Sequence, residues 1–205
     1  MLSCKVRQIH PSAWLLVLLS AGLQIVVFPL PNLYFLSWIA LTPLLVALLR
    51  TRTPDTLQLS EGRKWLAARP LEAFVLSYVC GIVWYLGTCY WIFATMRQYG
   101  GVNTPAAVGI LVLFCLYLGL YHGAFGLILS FFAGNRRRVL MLAPVVWVAV
   151  ELARTRITGF PWDLLGIAQV DNISLARIAS VTGVYGISLE IMLVNTAFAA
   201  AFLVR

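Results

Sequence analysis

Residues 105–132 read PAAVGILVLFCLYLGLYHGAFGLILSFF, and this stretch decides the fold class. It contains no Asp, Glu, Lys or Arg. It is also longer than the roughly 20 apolar residues that an α-helix needs to cross the hydrocarbon core of a bilayer. We therefore interpret residues 105–132 as a transmembrane helix.

The rest of the chain has the same character. Of its 205 residues, 61% are hydrophobic and 11% are charged, whereas soluble domains are near half apolar and about a quarter charged. This composition excludes a soluble globule, a disordered chain, a collagen-like sequence and a disulfide scaffold. We predict one all-α transmembrane domain over residues 1–205, a polytopic bundle of about six helices. The predicted spans are 13–28, 33–49, 73–96, 105–132, 139–153 and 181–204.

The fifteen basic residues predict the topology of this bundle. With a cytoplasmic N-terminus, eleven of them fall on the cytoplasmic side and four on the other, and this asymmetry indicates an N-in, C-in arrangement. The cytoplasmic set includes a loop at 50–70, and the extracytoplasmic set includes a loop at 154–177. The net charge of +8 thus indicates topology and contact with anionic lipids, not nucleic acid. The cytoplasmic eleven are Lys5, Arg7, Arg50, Arg52, Arg63, Lys64, Arg69, Arg136, Arg137, Arg138 and Arg205; the other four are Arg97, Arg154, Arg156 and Arg177.

Prolines and glycines predict local features within the spans. Pro29 and Pro31 indicate a tight reversal between the first two helices, because proline bars helix continuation. Pro43 predicts a kink whose freed backbone groups are satisfied by a neighbouring helix. Gly119 and Gly123 form a GxxxG motif, which predicts a close approach of another helix backbone.

The sequence offers little chemistry. It contains no P-loop, GxGxxG, GxSxG or HExxH motif, and no cluster of metal ligands, so we predict no metal, no cofactor and no catalytic residue in this chain. Cys80, Cys89 and Cys115 lie in apolar helices, where an inert thiol is expected. His122 lies alone in the fourth span. A functional imidazole is conceivable there, but we favour one packed against another helix.

Acidic residues near the predicted spans leave alternatives open. Glu72 falls in the first turn of a helix, where a carboxylate complements the helix dipole. Glu151 and Arg154 are spaced i, i+3, so they share a face. They either form an ion pair that neutralises a helix end or form the polar wall of a headgroup site. Glu190 lies inside the last span with no local cation, and it either faces water and a partner or is protonated.

The order of the short motifs resembles the N-terminal membrane region of bacterial apolipoprotein N-acyltransferases, from about residue 13 to 203. The strongest element is the TGFPW turn at 158–162, which follows an E-x-x-R helix end. The motifs that carry the resemblance are Phe28-Pro29, Asn32, Trp38 to Pro43, Tyr90-Trp91, Tyr99-Gly100-Gly101, Ala143-Pro144, Trp147, Glu151, Arg154, Thr158 to Trp162, Gly166, Gln169 and Gly183 to Gly186.

This resemblance implies transfer of an acyl chain from a phospholipid to the α-amino group of the lipidated N-terminal cysteine of a lipoprotein. It implies that a cysteine in a nitrilase-like domain, which follows the membrane helices, carries the acyl group as a thioester. The cysteines of this chain do not match that nucleophile. We expect the domain to be absent here, as in a fragment or a split enzyme, and the chain alone to be catalytically incomplete. The implied location is the bacterial inner membrane.

Five residues match family positions that are expected to face outward beneath the catalytic domain: Glu151, Arg154, Phe160, Trp162 and Gln169. We expect them to contact substrate or to dock that domain. Asp163 departs from the family pattern, where an apolar residue commonly follows the GFPW turn, and it argues against deep burial of this loop.

A different class of function stays open. Related membrane domains are fused to polyprenol-phosphate glycosyltransferases, so the chain is alternatively a stand-alone lipid-binding or scaffolding bundle. A transporter is disfavoured, because Glu190 and His122 are the plausible polar sites within the spans and no inverted repeat is visible.

Overall fold

The computed structural model describes residues 9–28, 32–52 and 65–204. Within these ranges the chain is helical, apart from loops and an isolated β-bridge between Arg52 and Leu66, and this confirms the all-α fold class. Several residues named above lie outside the described ranges: Lys5, Arg7, Pro29, Pro31, Arg63, Lys64 and Arg205.

Nine α-helices, two 3₁₀ turns and one π turn are found in the described part of the chain. Three of the helices are long and apolar enough to cross a membrane, namely α4, α6 and α9. The helices are α1 (Pro11–Val27), α2 (Ser37–Ala40), α3 (Thr42–Leu49), α4 (Pro70–Thr88), α5 (Trp91–Gln98), α6 (Thr104–Ser130), α7 (Arg136–Ala153), α8 (Ile173–Ala176) and α9 (Ala179–Val204). The turns are a 3₁₀ turn at Tyr34–Leu36, a π turn at Arg154–Thr158 and a 3₁₀ turn at Leu165–Gln169.

The predicted span 33–49 is broken between α2 and α3, just before Pro43. Asn195 of α9 satisfies the backbone groups freed by the break. Its Oδ1 accepts from the N–H groups of Leu41 at 2.8 Å and Thr42 at 2.9 Å, and its Nδ2 donates to the carbonyl oxygen of Ser37 at 2.8 Å. The predicted kink, with its freed groups satisfied by a neighbour, is thereby confirmed.

One predicted helix is wrong as a continuous element. Residues 73–96 form two helices, because the backbone leaves helical geometry at Cys89, with ψ near 14°, and resumes at Trp91. The Cys89 thiol donates to the Asp163 carboxylate at 3.8 Å, so a loop that is distant in sequence contacts the chain at this break. The break turns α5 so that the ring of Trp91 packs against that of Trp162.

Packing is most extensive between α4 and α6. Gly119, Gly123 and Gly126 of α6 all face α4, which confirms the predicted close approach at the GxxxG motif. At Gly126 a Cβ would lie 2.5 Å from the carbonyl oxygen of Ala73, so a larger residue would meet backbone. Helix α1 packs on α3 and α4, while α9 packs on α7 and on the Leu165–Gln169 turn.

The two ends of the bundle differ in chemistry. At one, here named the basic end, Arg52 forms a 3.3 Å ion pair with Glu72, and Arg136 donates to the carbonyl oxygen of Trp65. Glu72 thus has a cationic partner, Arg52. It also lies in the first turn of α4, where a carboxylate interacts favourably with the positive end of the helix dipole. The opposite end, here named the loop end, contains the C-termini of α4 and α7 and the residues 154–172 that follow α7.

Candidate functional site

The loop end begins where α7 passes into the π turn at Arg154–Thr158. Single π turns inside or beside α-helices are rare in proteins, and those that occur are often at functional sites. Gly159 ends this turn in the left-handed conformation, with φ 68°, which a residue with a side chain rarely adopts. The chain then folds back over the ends of α4 and α6.

Glu151, in the last turn of α7, is buried and binds the returning chain. Its Oε1 accepts from the backbone N–H of Leu165 at 2.6 Å, the first residue of the 3₁₀ turn. In the next residue, the N–H of Gly166 donates to Oγ of Ser188 on α9 at 2.9 Å. The carboxylate therefore fixes the loop to the helical bundle.

Arg154 is also buried, with 2% of its surface exposed. Its Nη2 donates to the carbonyl oxygen of Asp163 at 3.3 Å, and its guanidinium lies 5.6 Å from the ring centre of Tyr85. Glu151 and Arg154 share one face, as their spacing predicts. Within the described ranges, however, they form no ion pair of 4.0 Å or shorter. Each of them instead binds the backbone of the loop, so the interpretation as a paired helix end is wrong.

Asp163 contradicts the expectation drawn from its charge, since it is buried with 8% of its surface exposed. Its backbone is left-handed, with φ 54°, and its carboxylate points toward Cys89. Burial raises the pKa of the Asp163 carboxyl, although nearby Thr88 and the positive charge of Arg154 act in the opposite direction. The presence of an acidic residue in this loop therefore does not mean that this part of the loop is exposed to solvent.

Four aromatic rings form what we name the aromatic ledge: Trp91, Phe114, Phe160 and Trp162. Phe160 contacts Phe114 edge to face at 4.9 Å and stacks on Trp162 at 5.9 Å, and Trp162 lies 5.9 Å from Trp91. Trp162 remains 53% exposed, so the ledge offers an apolar surface whose members fix one another's positions.

Gln169 lies apart from both groups. It is fully buried, and its Nε2 donates to the carbonyl oxygen of Tyr34 at 3.0 Å and to Oγ of Ser37 at 2.8 Å. Its Oε1 accepts from Nδ2 of Asn172 at 3.2 Å. Gln169 therefore joins the loop to the segment before α2, and its position suits a structural role better than contact with a substrate.

Sequence reasoning missed the buried neighbours of Glu151 and Arg154. The ring of His122 packs against those of Trp84 at 4.9 Å and Trp147 at 5.1 Å, as the packed-imidazole hypothesis predicts. Trp147 precedes Glu151 by four residues, so helical spacing could have placed the two on one face. Trp84 has no such signal, because it reaches the group from a different helix.

The remaining polar candidates contribute less. Glu190 is half-buried on α9, and within the described ranges it forms no ion pair of 4.0 Å or shorter. The hydroxyls of Tyr121 and Thr158 lie 2.7 Å apart and connect α6 to the π turn. In the part of the chain that the structure describes, no three His, Cys, Asp or Glu residues are grouped as metal ligands.

Comparison with known proteins identifies the family. Residues 20–197 match the family model of the apolipoprotein N-acyltransferase N-terminal domain. The apolipoprotein N-acyltransferase of Geobacter metallireducens is 36% identical over 185 residues, which are 89% of this chain and 32% of that protein. That of Coxiella burnetii is 34% identical over 64% of this chain and 28% of the relative, and that of Methylococcus capsulatus is 36% identical over 61% and 25%. The matched part of the chain thus spans between a quarter and a third of the length of these relatives. It belongs to the family of apolipoprotein N-acyltransferase N-terminal domains.

Proposed function

We propose that this chain is the membrane domain of an apolipoprotein N-acyltransferase. In this role it anchors a catalytic domain and provides a lateral route by which phospholipid acyl chains reach that domain. The observation that carries the proposal is the aromatic ledge, because it is an exposed apolar surface held on buried polar supports. The relatives' shared name supplies the reaction class, N-acyl transfer to an apolipoprotein. The phospholipid donor is what the resemblance to the family implies.

The position of the ledge suits contact with lipid. Trp and Tyr are enriched where a membrane protein meets the headgroup region, since their rings are apolar while the indole N–H and the phenol O–H are polar. Tyr90 and Tyr99 cap the two ends of α5 and are 53% and 79% exposed. A lipid whose acyl chain lies along α6 would meet Phe114, and Phe114 contacts Phe160 of the loop. The proposed substrates are therefore a phospholipid donor and the N-terminus of a lipoprotein.

We further propose that the loop end faces away from the cytoplasm in the bacterial inner membrane. The basic end contains Arg50, Arg52, Arg69 and the 136–138 triplet, and such clusters favour the cytoplasmic side. Single cysteines placed at Arg97 and Arg136, in a cysteine-free background, test this arrangement. We expect an impermeant maleimide added to intact cells to label position 97 and not position 136. The opposite pattern would refute the topology.

A chimera tests the function itself. This chain replaces the corresponding N-terminal third of the Geobacter metallireducens relative, and the product of acyl transfer to a diacylated lipopeptide is measured by mass spectrometry. We expect activity from the chimera and none from this chain alone. Triacylated lipopeptide formed by the chain alone would contradict our proposal that it is catalytically incomplete. An inactive but correctly inserted chimera would favour the stand-alone lipid-binding bundle.

Trp162 provides the residue-level test. Trp162→Ala in the chimera removes the exposed ring of the ledge, and we expect a loss of roughly tenfold in kcat/KM, the order that truncating an aromatic anchor causes. Phe131→Ala is the matched control, since Phe131 is 70% exposed at the opposite end of α6. Equal losses in the two variants would leave the ledge without a specific role in substrate contact.

A further inference from the structure

A crevice lies between α4, α6 and α7, one to two turns from the C-termini of α4 and α7. The space that it encloses is ≈ 10 Å³, room for about one water-sized group such as a single oxygen atom. Tyr121 and Val150 are half-buried at its rim, and the other lining residues are buried, so the crevice opens between α6 and α7. It is lined by Trp84, Tyr85, Tyr121, His122, Trp147, Val150, Glu151 and Arg154.

Five of these lining residues have a buried polar atom that forms no hydrogen bond within the described part of the chain. Each of the five side chains is at least 96% buried. The atoms are Nη1 of Arg154, Oε2 of Glu151, Nε2 of His122, and the indole Nε1 atoms of Trp84 and Trp147. Buried polar groups are nearly always hydrogen-bonded, because otherwise they lose the bonds that water would give. The Trp147 indole lies near the Glu151 carboxyl group, one turn away, and the five atoms together indicate a place for a polar group between the helices.

The chemistry of the five atoms limits what the ligand can be. Arg154 and the two indoles can only donate, His122 can donate or accept, and only the carboxylate of Glu151 is restricted to accepting when it is ionised. The crevice thus offers mainly donors, which call for an oxygen acceptor. Arg154 already lies beside two acidic side chains, Glu151 and Asp163, and a further anion would approach their oxygens as well as the guanidinium. A neutral oxygen fits better than a phosphate.

The surroundings of the rim indicate the rest of the ligand. Leu120 and Tyr117 of α6 and Val145 and Leu152 of α7 are each at least 40% exposed, so the helices on both sides of the opening present apolar surface. A neutral oxygen attached to a hydrocarbon chain would place its chain between these helices and its oxygen among the donors.

We propose that this crevice binds the ester carbonyl oxygen of an acylglycerol lipid, with the indole N–H groups of Trp84 and Trp147 and Nη1 of Arg154 as donors. The inference rests on the proposed function for its setting in a lipid-binding domain, and it adds a subsite distinct from the aromatic ledge. Phospholipids and the diacylglyceryl group of a lipoprotein both present this ester, and the experiment below separates the two sources.

The test compares two phosphatidylethanolamines that differ only in their linkage. The diester form has carbonyl oxygens, and the diether form lacks them. Binding of each lipid to the full chain in detergent is measured by native mass spectrometry. We expect the diester to bind about three- to tenfold more tightly, the effect of one or two hydrogen bonds. Equal affinities would overturn the proposal, since they would mean that the headgroup and the chains account for all of the binding.

Two conservative variants assign the preference to the crevice. Trp147→Phe keeps a ring and removes one donor, so we expect the preference for the diester to fall to twofold or less. Trp38→Phe, which changes a half-buried indole outside the crevice, should leave the preference unchanged. A preference that survives both Trp147→Phe and Trp84→Phe would refute the crevice as its origin. If one of these two crevice variants fails to fold, as judged by thermal unfolding, the other decides alone.

A diacylglyceryl lipopeptide in diester and diether forms gives the second arm. A linkage preference in the lipopeptide alone assigns the site to the acyl acceptor, and one in the phospholipid alone assigns it to the donor. The outcome is separable from that of the proposed function, because lipid binding by this chain needs no catalytic domain. An inactive chimera with the linkage preference intact would refute the acyltransferase role and leave the carbonyl site standing.

Discussion

Replacing Gly166 with alanine should detach the loop from the bundle. A Cβ at this position would overlap the carbonyl oxygen of Val184 and lie 2.9 Å from Val184 Cγ2 and 3.1 Å from the N of Ser188. The first and last of these are backbone atoms of α9, which cannot move aside as a flexible side chain would. We therefore expect the loop to move away from α9.

The magnitude follows from the contacts that such a shift would strain. Overpacking in a well-filled site costs about 1–3 kcal/mol. The shift would also weaken the 2.6 Å bond from Leu165 to Glu151, and a bond to a charged group contributes about 1.5–3 kcal/mol. We expect a total of roughly 2–5 kcal/mol. For a chain of this length, each kcal/mol lowers Tm by about 2–4 °C, so the expected decrease is about 4–20 °C.

Thermal unfolding of the purified chain in detergent measures this effect, and Gly109→Ala is the matched control. Gly109 lies on α6, and a Cβ added there would have no contact within 4 Å. Alanine should therefore leave the free energy of unfolding unchanged, or raise it by up to about 1 kcal/mol through its higher helix propensity. If Gly166→Ala and Gly109→Ala unfold at the same temperature, the close contact of the loop with α9 is not a source of stability and our reasoning fails.

Three further predictions use the same assay. Burial raises the pKa of Asp163, so the folded chain loses stability as the pH rises from the ordinary pKa of the carboxyl through the raised one and the group ionises. Asn cannot ionise, so the difference in Tm between Asp163→Asn and the unaltered chain should grow in favour of Asn between pH 4 and pH 8. A difference that shrinks over this range would contradict the prediction. Asn195→Leu leaves the N–H groups of Leu41 and Thr42 unpaired and should lower the free energy of unfolding by roughly 2–6 kcal/mol. Thr196→Val should change it little, because the Thr196 hydroxyl donates to the Leu193 carbonyl oxygen of its own helix, α9. Gly126→Ala should lower Tm, whereas equality with Gly109→Ala would refute the tight α4–α6 contact.

The helices could be predicted from the sequence because their cause is local. An uncharged run such as 105–132 has few alternatives to a membrane helix, and α6 ends within two residues of that range. The break at Cys89 could not be predicted, since no proline or glycine occupies it and its partner, Asp163, lies 74 residues away. The break before Pro43 shows both cases. Pro43 predicts the break from the local sequence. Asn195, whose side chain bonds the backbone groups that the break frees, lies more than 150 residues away and could not be predicted as their partner.

The candidate site was predictable to the same degree. The E-x-x-R spacing placed Glu151 and Arg154 on one face, which is a local consequence of helical geometry. It could not reveal that the two would bind loop backbone instead of each other, because that depends on where the chain returns after Gly159. Asp163 was misjudged for the same reason. A carboxylate is expected at a surface unless a folded partner surrounds it, and the helix end that surrounds this one is remote in sequence.

These contacts divide the five family-matched residues by role. Irregular backbone at membrane depth is tolerated only where its N–H and C=O groups find partners in the protein. Glu151, Arg154 and Gln169 each supply such partners, to Leu165, to Asp163 and to Tyr34, so a change in any of them should impair folding and function together. Phe160 and Trp162 lie on the segment that these three residues hold, and no side-chain hydrogen bond of theirs supports it. Trp162 is exposed, whereas Glu151, Arg154 and Gln169 are buried. A substitution of Trp162 should therefore change contact with a ligand without disturbing the fold.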